Sequence, residues 1–104
     1  MSQRLEQLKT FLAENPDDPF ILFAIAKEYE KQEIPEKALE FYAKVIEADP
    51  NYVGVYYHLG KWHERAGAFD QAIEVYKKGQ QVAKTQGDKH ALGELNAALL
   101  GIEE

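Results

Sequence analysis

Residues 19–52 read PFILFAIAKEYEKQEIPEKALEFYAKVIEADPNY, and residues 53–86 read VGVYYHLGKWHERAGAFDQAIEVYKKGQQVAKTQ. Superimposed at an offset of 34 residues, Ile25-Ala26 falls on Leu59-Gly60, Tyr29 on His63, Ala38-Leu39 on Ala72-Ile73 and Tyr42 on Tyr76. Small and apolar positions therefore recur together. One supersecondary unit has been made twice, and such units stack because neither buries its apolar face alone. The arrangement points to an extended surface rather than to a catalytic pocket.

Asp18 before Pro19 reads as a helix start, an N-cap acceptor followed by a proline whose missing N–H costs nothing. Pro35 opens the next helix, with Glu36 where the helix dipole favours an acid. Gly67 and Gly87 stand where helices end in a left-handed residue. These marks predict helices at 2–14, 19–32, 35–48, 53–66, 69–84 and 88–102, with no strand. Val45-Ile46 and the 53–57 stretch are β-prone, but each sits inside a sustained helical pattern.

The repeated residues resemble the tetratricopeptide repeat, whose pattern runs aromatic, Leu-Gly, Tyr, Ala, Phe and Pro. The first copy supplies Leu22, Ile25-Ala26, Tyr29, Ala38, Tyr42 and Pro50; the second supplies Tyr56, Leu59-Gly60, His63, Ala72 and Tyr76. Leu22, His63 and Gly79 depart from the pattern, and Lys84 stands in place of the closing proline, so the last helix of the second copy is expected to run past its usual stop. The resemblance implies an all-α fold, a right-handed array of antiparallel helix pairs with about six helices. Residues 1–104 then form one domain: a half-repeat helix at 1–16, repeats at 19–52 and 53–86, and a capping helix at 87–104. Leu5, Leu8, Phe11 and Leu12 form the first helix's apolar stripe, and Leu92, Leu95, Leu99 and Ile102 the cap's, with Glu94, Asn96, Glu103 and Glu104 toward water.

At 104 residues with a net charge of -6, the chain has room for one thin core and repels phosphodiester backbones, which argues against nucleic-acid binding. Without cysteine there are neither disulfides nor thiolate metal sites. The apolar run 20–26 is too short for a bilayer, and the Met1–Glu6 stretch has no apolar signal core, so a cytoplasmic protein without membrane contact is expected.

No nucleophile, acid–base pair or phosphate loop stands out, so the chain reads as a non-enzyme with no cofactor. His58 and His63 point to different faces of one helix, and His63 takes the slot of Tyr29 as an aromatic-like core residue. His90 and Glu94, four apart, read as a solvated helix pair, and no metal is expected.

A second stripe repeats instead. Phe23, Lys27, Glu30 and Lys31 run beside the buried face of one helix, and Tyr57, Lys61, Glu64 and Arg65 follow 34 residues later. In the family this chain resembles, that flank lines a concave, peptide-holding groove. Phe23, Lys27, Lys31, Tyr57, Lys61 and Arg65 are therefore the candidate peptide-binding residues. Aromatics beside cations suit an acidic or carboxylate-ended peptide. The paired asparagines of chaperone-binding carboxylate clamps are absent, so that particular ligand is not expected. Phe20 reads as core. Trp62 falls on Glu28, a slot taken as water-tolerant, and either marks an interface or closes the joint with the capping helix; Leu100 is the other candidate interface residue. The function expected is a protein-binding module or small adaptor, with a homo-oligomeric scaffold subunit as the alternative.

Overall fold

The computed structural model describes residues 2–103 and is all-helical: α1 (Gln3–Glu14), α2 (Pro19–Lys31), α3 (Pro35–Ala48), α4 (Gly54–Arg65), α5 (Phe69–Gln86) and α6 (Lys89–Glu103). Glu104 and the side chain of Glu103, both expected on the cap's wet face, lie outside the described set. The chain divides into two compact units, residues 1–50 with α1 to α3 and residues 51–104 with α4 to α6.

In the first unit α2 and α3 form a hairpin. Ala26 and Ala38 are fully buried where the backbones come together, and so is Tyr42 on α3. Asp18 caps α2, its Oδ1 accepting from the N–H of Phe20 at 2.9 Å and of Ile21 at 3.3 Å, with Pro19 in the first turn. α1 packs on α2 and buries Leu5 and Leu8, while Phe11 is turned outward at 54 % exposure.

One observation overturns the sequence reading of position 28. Glu28 is 7 % exposed, the one charged residue in the core among the described residues, so in the first copy this slot is closed to water. The N-terminus of α1 closes over it: Ser2 Oγ donates to Glu28 Oε1 at 3.1 Å while accepting from Leu5 N–H, and Arg4 Nε stands 3.5 Å from Oε2. Buried charge is tolerated only with such partners. Phe20 is the second correction. It is 66 % exposed, because it lies two residues before Leu22, on the other side of the helix from the buried face.

The second unit repeats the hairpin with α4 and α5, and α6 packs on α5. α5 continues to Gln86, past the point where α3 stops, as the missing proline leads one to expect. Leu95, Ala98 and Leu99 of α6 are buried, and Leu92 and Ile102 are half-buried.

Helix ends are made alike in both units. The N–H groups of Ile34 and Glu33 return to the carbonyls of Tyr29 and Glu30, both at 3.0 Å; Ala68 and Gly67 do the same to His63 and Glu64, and Asp88 and Gly87 to Ala83 and Lys84. These are Schellman closures, which require a left-handed residue. Gly67 and Gly87 take φ of 77° and 68°, but the first copy puts Glu33 there, at φ 60°.

The copies also differ in how they share volume. A Cβ at Gly60 would lie 2.1 Å from the Tyr76 ring, and one at Gly79 would lie 2.6 Å from Tyr56 Cβ. The first copy has Leu22 and Val45 where the second has Tyr56 and Gly79, so a larger residue on one helix is offset by a smaller one on its neighbour.

Two stability predictions follow from this packing. Gly79→Ala should destabilise by about 1 to 3 kcal/mol despite its better helix propensity, since Tyr56 Cβ cannot swing aside. Gly93→Ala, with nothing within 4 Å of the new methyl, should instead stabilise by roughly 0.5 to 1 kcal/mol. Urea denaturation of both variants checks the contrast, and equal shifts would contradict the packing described. Glu33→Gly should gain about 0.5 to 1 kcal/mol, because relief of the left-handed strain outweighs the added freedom of the unfolded chain; a loss of stability in the same assay would refute it.

Candidate functional site

The six candidate residues stand on α2 and α4, where the buried faces of those helices end and water begins. Leu22, Ile25, Ala26 and Tyr29 turn into the first unit, and Phe23, one position on from Leu22, reaches only the edge of the core. Its ring stands 6.1 Å from that of Tyr42 at a tilt of 51°. Lys27, one turn further, is exposed and holds Nζ 5.9 Å from the Phe23 centroid. Tyr42, buried in its ring, donates its hydroxyl to Glu30 Oε1, so the acid in the stripe is tied to the hairpin behind it. Lys31 is exposed in the last turn of α2, where the helix dipole favours a cation.

The second unit builds the same arrangement. Tyr57 stands 6.5 Å from Tyr76 at a tilt of 43°, and Lys61 Nζ lies 5.5 Å from the Tyr57 centroid. Lys61 also pairs with Glu64 Oε2 at 3.2 Å, and the same oxygen accepts the Tyr76 hydroxyl at 3.0 Å. Burial, together with the hydrogen bond and charge of Glu64, pushes the Tyr76 hydroxyl well above its ordinary pKa, so it remains a donor. Arg65 is exposed at the end of α4. His58 meets Tyr57 edge-on at 5.6 Å, an extra aromatic where the first unit has Ala24.

Each flank is therefore a ring, a lysine lying over it, a carboxylate and a buried tyrosine that holds the carboxylate. A cation over a ring at an exposed site contributes about 0.5 to 1 kcal/mol and a surface ion pair about as little. Their effect is to hold the lysine and the ring side by side, presenting apolar and cationic surface together. Chemically the flanks can bind and orient an anion beside an apolar group; neither offers an acid–base pair.

The remaining candidates lie apart from this pattern. Trp62 is half-buried, its ring edge-on to His63 at 5.3 Å. His63 is itself half-buried rather than core, because it is the smaller ring in the Tyr29 slot, and burial holds its imidazole below the ordinary 6.5, neutral at pH 7. Leu100 is 63 % exposed on α6. His90 and Glu94 form an exposed pair at 3.8 Å. The sequence reading overlooked the tyrosine–glutamate bonds, although Glu30 with Tyr42 and Glu64 with Tyr76 share both the repeat offset and a spacing of 12 residues. No helix among the described residues is long and apolar enough to cross a membrane.

Comparison with known proteins agrees with the repeat. The tetratricopeptide repeat family pattern matches residues 21–52 and 53–86. A TPR repeat-containing protein of Pseudomonas aeruginosa is 32 % identical over 95 residues, spanning 91 % of this chain and 90 % of the relative. The crystal structure of a tetratricopeptide repeat domain protein from Salinibacter ruber superposes with a TM-score of 0.79 at 43 % identity, over 83 % of this chain and 96 % of that one. PcrH, crystallised in complex with the chaperone-binding region of PopD, shares the fold at a TM-score of 0.87 and 16 % identity, over 95 % of this chain and 75 % of that one. With both repeats matched and a relative of this identity spanning nearly the whole chain, the protein belongs to the tetratricopeptide repeat family.

Proposed function

We propose that this chain is a non-catalytic protein-binding module, a small cytoplasmic adaptor that binds a partner peptide through the exposed flank each unit presents, on α2 in the first and on α4 in the second. The observation that carries this reading is the duplicated pairing of lysine and ring, Lys27 over Phe23 and Lys61 over Tyr57, kept in the same register in both units. A solvated face has no need of such agreement between copies. PcrH, a protein of this fold, binds a segment of another protein, and the same use of the fold is proposed here.

The partner is an acidic or carboxylate-ended peptide. Lys61 is partly neutralised by Glu64, and each unit carries a second cation in the last turn of its helix, Lys31 on α2 and Arg65 on α4. The rings supply apolar contact and the cations orientation. A second reading, self-association of a scaffold subunit, is favoured by the exposed Leu100 on α6; light scattering across a concentration series distinguishes it, since an adaptor stays monomeric.

The test is a binding titration with short peptides of differing charge. Acidic and carboxylate-ended peptides should bind, with affinity falling as salt rises, because exposed cations are screened. Lys27→Glu with Lys61→Glu should abolish binding while stability changes by less than about 1 kcal/mol, as expected of exposed pairs. Trp62→Ala should leave binding intact. Undiminished binding by the charge-reversed protein would refute this site, and loss confined to Trp62→Ala would move it to that ring.

A further inference from the structure

Phe20 extends the stripe of the first unit. It is 66 % exposed, and it precedes Phe23 by three residues and Lys27 by seven, so helical geometry puts all three on one flank of α2. An aromatic ring left this open on a helix is costly to hydrate and gains by being covered. The corresponding position of α4 is Gly54, so the ring is present in one copy only.

Charge along α2 gives the stripe a direction. At its start the Asp18 carboxylate caps the helix, accepting from the N–H of Phe20 itself at 2.9 Å. At its end Lys27 and Lys31 are both exposed. An anion is therefore disfavoured beside Phe20 and favoured about two to three turns further on, whereas an apolar group is favoured beside Phe20.

We infer that the first unit recognises a two-point motif, a bulky apolar side chain seated on Phe20 and Phe23 and a carboxylate three or four residues away held by Lys27 and Lys31. This rests on the peptide-binding reading above and specifies its ligand. The spacing comes from length. Phe20 and Lys27 are about 10 Å apart along the helix axis, and Lys31 is roughly 6 Å beyond. In a polyproline II segment, residues three apart share a face and lie about 9 Å apart; in a β-strand, residues four apart share a face at about 13 Å. Adjacent residues point to opposite faces and fall far short. Since Gly54 offers no second ring, the apolar residue also sets the register in which the peptide lies.

Fluorescence anisotropy with labelled peptides tests the inference. The probe carries leucine and aspartate three residues apart in a glycine and serine background; one control replaces the leucine by alanine, and another places leucine and aspartate side by side. The spaced leucine probe should bind about tenfold or more tightly than either control. Phe20→Ser should reduce it to the affinity of the alanine peptide and leave that peptide's own affinity unchanged, while Phe69→Ser, at a ring 53 % exposed in the second unit, should alter neither. If leucine confers no advantage, if side-by-side placement binds equally well, or if Phe20→Ser weakens both peptides alike, the motif is overturned while acidic-peptide binding stands. If no acidic peptide binds at low salt, the reading on which the motif rests falls with it.

Discussion

The close approach of paired helices is the constraint on which the rest depends. Two backbones meet only where side chains are small, and Ala26 with Ala38 in one unit and Gly60 with Ala72 in the other meet that need with complete or nearly complete burial. Tyr42 and Tyr76 then fill the space beside them. The fit in the second unit is close enough that a single added methyl at Gly60 would collide with the Tyr76 ring.

That core contact reaches the surface. Each tyrosine carries its hydroxyl to a glutamate at the hairpin's edge, and in the second unit that glutamate holds the lysine lying over the neighbouring ring. The ring-and-lysine flank is thus positioned by the core rather than by its own weak surface interactions. The carboxylates also restrain the field of the lysines, so any ligand proposed for this flank must match the geometry of ring and cation as well as their charge.

The two copies have diverged in instructive places. Tyr56 and Gly79 replace Leu22 and Val45 with volume redistributed across the helix pair, which alters shape while preserving density. Glu33 occupies a left-handed position that Gly67 takes without strain, because the Schellman bonds around it are made in either case. Phe20 on the exposed side, and His58, half-buried and edge-on to Tyr57, each add a ring that the other copy lacks.

Much was legible in the sequence because it depends on residues close in the chain. The repeat period, the small positions, the N-cap of Asp18, the glycine stops at 67 and 87 and the longer α5 all follow from local backbone chemistry and helical spacing. Helical spacing also placed Phe23, Lys27, Tyr57 and Lys61 on matching flanks, and the structure adds that each lysine lies over its ring. Tertiary structure alone decided which positions are covered. Glu28 looked water-facing, yet Ser2 and Arg4, more than twenty residues away, fold over it and make its charge tolerable. Phe20 reads as core, yet α1, which packs on α2, leaves it 66 % exposed. Periodicity determines which residues share a face; whether that face is buried depends on partners distant in the chain, and no local pattern encodes their arrival.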